Sequence, residues 1–210
     1  MNELLDKYLS SHIDPEPEIL QQLNRDTQVN LLNGRMVSGH FQGRLMVMLC
    51  RMIRPKRILE LGTFTGYSAL CFAEGMDPDA ELHTIEHNDE LEDIAKSWFS
   101  RSEFGSRINL HIGDALELIP RMEGLFDLVF IDADKRQYLE YYEAVFPKVK
   151  SGGFILADNT LWSGKVLKKI APNDAQSLAV SKFNDYIAND SRIEKIILPI
   201  RDGLTIIYKK

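Results

Sequence analysis

The stretch Arg57-Ile-Leu-Glu-Leu-Gly-Thr-Phe-Thr-Gly-Tyr-Ser68 decides the fold. It opens on an apolar run of strand length, passes through two glycines, and resumes as a helical pattern over Tyr67–Gly75. Strand, glycine turn and helix in that order start a βαβ unit. The same alternation continues downstream. Leu82–Glu86, Ile108–Ile112, Phe126–Asp132 and Phe154–Asp158 read as further strands, separated by helices over Glu90–Ser102, Gln137–Val149 and Gln176–Asn189. Strands separated by helices imply right-handed crossovers and a parallel sheet. Gly152-Gly153 reads as a turn. At the C-terminus, Glu194–Leu198 and Leu204–Tyr208 flank only Pro199-Ile-Arg-Asp-Gly203, too short a gap for a helical crossover, so these two strands form an antiparallel hairpin.

Upstream, Met1–His12, Glu18–Gln28 and Gln42–Ile53 read as helices, the first broken by Asp14-Pro15-Glu16-Pro17 and the third closed by Pro55. The expected organisation is one domain over 1–210, with 1–55 as a helical extension and 56–210 as the α/β core. The 210 residues carry a net charge of −6, with 44% apolar and 27% charged residues, which suits a globule with a full core and argues against global disorder. A pI near 5.4 disfavours gripping nucleic acid by charge alone. No apolar run approaches the roughly 18 residues of a membrane span, and Met1–Tyr8 lacks the basic start of a secretory signal. Cys50 and Cys71 lie in apolar helical patterns and read as buried reduced thiols, so a cytoplasmic location is expected. His12, His40, His83, His87 and His111 show no zinc spacing.

In an open α/β sheet, ligands dock outside the carboxyl ends of the strands. Gly62 lets backbone approach a ligand there, and Gly66 lets the helix start close to the strand. The Gly-x-x-x-Gly spacing meets neither the dinucleotide fingerprint nor the P-loop, which disfavours a nicotinamide dehydrogenase. The charged neighbour, Glu60, is acidic, so an ammonium or sulfonium is a better guest than pyrophosphate. Glu86 ends the second strand, where a carboxylate accepts hydrogen bonds from ribose hydroxyls. Asp114 follows the third strand, placed for an adenine amino group; it also suits a helix N-cap.

These segments resemble the class I S-adenosylmethionine-dependent methyltransferases. The run Leu59-Glu-Leu-Gly-Thr-Phe-Thr-Gly-Tyr-Ser-Ala-Leu70 is similar to the first motif of the small cation-dependent O-methyltransferases, the caffeoyl-CoA and catechol O-methyltransferases and their bacterial relatives. Asp132-Ala-Asp-Lys135 and Asp158-Asn-Thr-Leu-Trp-Ser-Gly-Lys-Val166 match further signatures of that family. Asp134 stands where the catechol branch carries a bulky aromatic, which places the chain nearer the caffeoyl-CoA and bacterial branches. The resemblance implies a Rossmann-like methyltransferase fold: a mostly parallel seven-stranded sheet with an antiparallel C-terminal strand and helices on both faces.

The fourth and fifth strand ends carry the chemistry. Asp132, Asp158 and Asn159 offer two carboxylates and an amide oxygen, hard donors suited to Mg²⁺, with Ca²⁺ or Mn²⁺ as alternatives. Taken singly they also suit strand-terminal acids and a turn residue. A phenol titrates near 10, so methyl transfer to it needs activation. Lys135, three positions after Asp132, is the candidate general base, the role the family assigns to this lysine. The resemblance implies cofactor contacts at Val37, Glu60, Gly62, Ser68, Glu86, Asp114, Ala115 and Asp132, the last also serving the metal. Trp162 either walls an aromatic acceptor pocket or belongs to the core.

The reading is therefore an S-adenosylmethionine- and divalent-metal-dependent O-methyltransferase acting on a small catechol-like phenolic acceptor, expected as a homodimer. The alternative acceptor is 5-hydroxyuridine in tRNA. Two basic clusters bear on it, Arg51, Arg54, Lys56 and Arg57, and Lys165, Lys168 and Lys169; solvated faces of an acidic protein are the plainer reading. A binding protein without catalysis is disfavoured by the intact Asp132, Lys135, Asp158 and Asn159.

Overall fold

The computed structural model describes residues 3–210. In chain order the elements are α1 (Glu3–His12), α2 (Glu18–Asn30), α3 (Gly39–Ile53), β1 (Arg57–Leu61), α4 (Tyr67–Gly75), β2 (Glu81–Glu86), α5 (Glu92–Ser100), β3 (Ile108–Ile112), α6 (Ala115–Leu118), β4 (Phe126–Ile131), α7 (Tyr138–Val145), β5 (Val149–Ala157), α8 (Ala175–Ala188), β6 (Ile193–Leu198) and β7 (Leu204–Lys209). Met1 and Asn2, the start of the predicted first helix, lie outside the described residues. The strands follow the order β3-β2-β1-β4-β5-β7-β6. The pairs β1–β4, β4–β5 and β2–β3 are parallel, and β7 runs antiparallel to both β5 and β6. The fold is thus the mostly parallel seven-stranded sheet expected, with the C-terminal hairpin in place.

Two compact units build it. Of the described residues, the first comprises those up to Lys56 and 63–112. Its core is the α3–α4 contact, where both helices thin their surfaces with glycine. A Cβ on Gly43 would lie 2.9 Å from Cys71 Sγ, and one on Gly75 would lie 2.7 Å from the Cys50 Cβ. Neither cysteine is in a disulfide and both are fully buried, as read from sequence, and burial pushes the Cys50 thiol up to about 12. Arg44 on α3 locks to Glu74 on α4 through two parallel hydrogen bonds of 2.8 and 2.5 Å. Helix α3 ends on Arg54, in the left-handed region at φ 53°, just before Pro55. Helix α2 buries Leu20, Leu23 and Thr27 along one stripe.

The second unit comprises 57–62 and 113–210. Its centre is β4, fully buried except at Asp127, flanked in register by β1 and β5. Tyr138, Tyr142 and Phe183 pack edge-on between α7 and α8. One expectation is corrected here. Gly152-Gly153 is not a turn; it lies inside β5. Between the pairs Phe126–Val149 and Leu128–Phe154, β5 advances five residues while β4 advances two, so the glycines form a bulge. Gly152 has φ 81°, and a Cβ on Gly153 would lie 2.8 Å from Val149 Cγ1. The helix predicted over 137–149 ends at Val145 because Pro147 follows in a 3₁₀ turn.

Candidate active site

The carboxyl ends of β4 and β5 are aligned by backbone pairing. Ile131 is in register with Ala157, so Asp132 and Asp158 take the neighbouring positions one step on. Their amides continue the ladder: Asp132 N–H donates to the Leu61 carbonyl (2.9 Å) and Asp158 N–H to the Ile131 carbonyl (3.0 Å). Gly62 is required here by geometry. Its φ is 97°, and a Cβ would stand 2.1 Å from the Asp132 carbonyl oxygen.

Lys135 turns back over this end. Its Nζ donates to Asp132 Oδ1 at 2.6 Å and to Tyr138 Oη at 2.5 Å, and the side chain is only 8% exposed. A buried side-chain nitrogen needs such partners, because its desolvation is otherwise uncompensated. Tyr138 is fully buried; burial first, then the Asp132 and Asp158 carboxylates, hold its hydroxyl well above the usual tyrosine range. Both carboxylates therefore bear on the same buried point. Asp134 is turned to other work. It caps the Lys135–Gln137 turn through Arg136 N–H (3.0 Å) and pairs with the Arg136 guanidinium, which lowers its pKa.

Asp158 is buried, and its Oδ1 accepts the Asn159 N–H at 2.8 Å. Asn159 sits at φ 56°, which asparagine tolerates better than most residues. The following loop is held from below by the β6–β7 turn. Thr160 N–H donates to the Gly203 carbonyl (3.0 Å) and Leu161 N–H to the Asp202 carbonyl (2.8 Å). Asn184 Nδ2 on α8 donates to the Thr160 carbonyl at 2.8 Å. Trp162, Ser163 and Gly164 all carry positive φ, a concentration of backbone strain beside the aligned strand ends. The Trp162 indole N–H is buried without a hydrogen-bond partner.

The remaining expected cofactor residues fall as follows. In the first unit, Glu86 ends β2 with Oε2 accepting Phe64 N–H (2.8 Å) and Oε1 accepting Asn88 N–H (2.9 Å). Each oxygen retains a further lone pair for a ligand hydroxyl. Thr63 and Thr84 hydroxyls lie 2.6 Å apart and tie the glycine turn to β2. Gly66, at φ 92°, leaves no room for a Cβ against the Phe99 ring. Ser68 is buried in the first turn of α4, and Val37 is buried just after the 34–36 turn. In the second unit, Glu60 is fully buried within β1 opposite Phe130. Asp114 caps α6 through Leu116 N–H at 2.8 Å, with Ala115 buried beside it. Phe64, Tyr138 and the Asp202 turn were missed as functional supports in the sequence. The i, i+3 spacing of Lys135 and Tyr138 at a helix start was the one available signal.

Among the described residues, no group of three or more His, Cys, Asp and Glu side chains gathers as a metal cluster. The donor set at the β4 and β5 ends is two carboxylates and an amide oxygen, all hard, and fits Mg²⁺, Ca²⁺ or Mn²⁺ rather than zinc. No helix among the described residues is long and apolar enough to cross a membrane.

A Rossmann-like seven-stranded sheet with this strand order defines a class I methyltransferase fold. Comparison with known proteins agrees. The profile of the O-methyltransferase family matches residues 9–210, and the chain belongs to that family. It is 34% identical over 205 residues to caffeoyl-CoA O-methyltransferase 1 of Nicotiana tabacum, covering 91% of this chain and 84% of that one. It is 30% identical to the caffeoyl-CoA O-methyltransferase of Stellaria longipes, covering 97% and 89%. Among solved structures, the SAH-bound methyltransferase of Podospora anserina superposes with a TM-score of 0.92 at 30% identity, covering 100% of this chain and 97% of that one. The SAH complex of the Bacillus cereus O-methyltransferase gives 0.90 at 26% identity, covering 99% and 97%. The protein is accordingly an S-adenosylmethionine-dependent O-methyltransferase of the caffeoyl-CoA type.

Proposed function

We propose that this enzyme methylates one hydroxyl of a small catechol-like aromatic, with a divalent cation held by Asp132, Asp158 and Asn159. The observation that carries the reading is the Lys135–Asp132 pair, 2.6 Å apart and nearly buried, beside Asp158 at the adjoining strand end. Asp132, Asp158 and Asn159 would hold the cation, which when bound would lower the pKa of a phenol. Lys135 accepts the acceptor's proton. The phenolic oxygen then forms a bond to the methyl carbon, and the carbon–sulfur electron pair stays on sulfur, which becomes a neutral thioether. Val37, Glu60, Gly62, Ser68, Glu86, Asp114, Ala115 and Asp132 are proposed to bind S-adenosylmethionine, Glu86 through the ribose and Asp114 through the adenine.

The tRNA acceptor finds no support in the charges. Arg51 pairs with Glu74, Arg54 with Asp77, and Lys56 with Asp77 and Asp79, so three of the four cations in that cluster have carboxylate partners. Lys165 is likewise paired with Asp174. We also propose a homodimer; the apolar Ile196 and Ile197 that strand β6 exposes support it, and a monomeric mass in light scattering would refute it.

The deciding experiment is a methyl-transfer screen over catechols, flavonoids, caffeoyl esters and hydroxyuridine-bearing tRNA, with Mg²⁺ and with EDTA. Transfer to a vicinal diol that stops in EDTA and returns with Mg²⁺ is the expected result. Full activity in chelator would remove the metal from the reading.

A further inference from the structure

Lys135 alone does not define a base. An alkylammonium on a four-carbon stem rotates freely unless its N–H bonds are committed. Here both commitments can be read from the chemistry of the partners. Tyr138 Oη lies 2.9 Å from the Asp158 carbonyl and 3.2 Å from the Ile131 carbonyl. Carbonyl oxygens only accept, so the single hydroxyl proton of Tyr138 is spent on them. Toward Lys135, at 2.5 Å, the Tyr138 oxygen can therefore only accept. Asp132 Oδ1, at 2.6 Å, accepts as well. The phenol itself cannot swing away: its ring is fully buried and meets Phe183 edge-on at 5.6 Å.

We propose that Tyr138 is a positioning residue that aims the side-chain nitrogen of Lys135. This deepens, and rests on, the reading of Lys135 as the general base. The nitrogen has four tetrahedral directions. One is the side-chain stem, two are the N–H bonds already committed, and the fourth is left for the acceptor. With one N–H on Asp132 Oδ1 and the other on Tyr138 Oη, the fourth direction is set by the protein rather than by rotation. When the acceptor's O–H bond breaks, its proton forms the third N–H bond along that direction. The same hydroxyl also grips the Asp158 backbone. Tyr138 thus joins the lysine to the strand end that carries Asp158 and Asn159, so base and acceptor-binding groups hold one registration.

The test compares natural, Tyr138→Phe and Lys135→Met chains. Lysine side-chain nitrogens labelled with ¹⁵N report directly on Lys135. The natural chain is expected to give a resolved Lys135 signal with slowly exchanging protons, and Tyr138→Phe, which keeps the ring, is expected to exchange faster. With a catechol from the screen as probe, kcat in Tyr138→Phe should fall by about 10- to 100-fold, the size of a misplaced catalytic group. KM for S-adenosylmethionine should stay within about twofold, because ground-state binding is untouched. A folded Tyr138→Phe with unchanged exchange and unchanged kcat overturns the proposal. A fully active Lys135→Met chain overturns instead the base assignment beneath it. If Tyr138→Phe does not fold, cross-relaxation between the Tyr138 hydroxyl proton and the Lys135 side-chain N–H protons in the natural chain decides, and its absence overturns the proposal.

Discussion

Lys135 and His111 are both titratable bases close to another ionisable side chain, Lys135 at 2.6 Å from Asp132 three positions earlier and His111 at 3.0 Å from His83 on the parallel neighbouring strand, and the chain treats them in opposite ways. Lys135 meets an opposite charge, a phenol and a carbonyl-anchored network, so burial is compensated. His111 meets a second imidazole, stacked at 5.3 Å between ring centres, with Glu81 beyond it at 3.3 Å from His83 Nε2. Two imidazoles share a hydrogen bond only while at least one is neutral. Burial, and secondarily His83, lowers the His111 pKa. The first arrangement compensates burial with a carboxylate and a phenol; the second, two imidazoles together, disfavours charge on His111. Only the first lies just past the paired β4 and β5 ends.

Removing the complementary partner should have the largest effect. Lys135→Met is expected to cost about 10²–10⁴-fold in transfer, the usual worth of a positioned proton acceptor. Calorimetry should find S-adenosylmethionine binding retained. Asp158→Ala tests the other arm. Transfer should fall at least about 100-fold, more than an outer partner of a metal site is worth. Cofactor affinity should change little, and equal loss of both would move Asp158 out of the metal set.

Gly62→Ala sharpens the comparison by acting on backbone alone. The new Cβ meets the Asp132 carbonyl, in a conformation L side chains avoid, so a loss of about 2–4 kcal/mol in urea unfolding is expected. A silent Gly62→Ala would show that the β1 and β4 ends can part without cost.

The imidazole pair predicts a smaller, pH-dependent change. Because folding depresses the His111 pKa, its contribution is complete above the unfolded value near 6.5 and is lost as pH falls through the lower folded value. Unfolding midpoints should drop between about pH 7 and pH 5, and His111→Gln should flatten that slope. Smallest of all is Lys56→Ala. This exposed cation pairs with Asp77 and Asp79, and salt screens such pairs, so activity and unfolding midpoint should scarcely move.

Much of the core is legible in the sequence itself. The strands Ile58–Leu61 and Phe126–Ile131 are apolar runs of the right length between turn signals, and a five-residue gap cannot hold a crossover helix, so β6 and β7 had to fold back. Gly152-Gly153 was not legible, because a bulge and a turn use glycine for the same conformational freedom. The cations at Arg54 and Lys56 were visible, but not their carboxylates at Asp77 and Asp79, which return to them only through folding.

The site divides along the same line. Sequence by itself determined the residue types at each strand end, hence a methyltransferase framework with hard oxygen donors and a lysine three positions on. Tertiary structure decided what those groups touch. Register put Asp132 beside Asp158, the β6–β7 turn pinned the Asn159–Leu161 loop, and burial of Tyr138 committed its proton to backbone and its oxygen to Lys135. Such commitments depend on which acceptors lie within 3 Å, a property of packing that no linear spacing encodes.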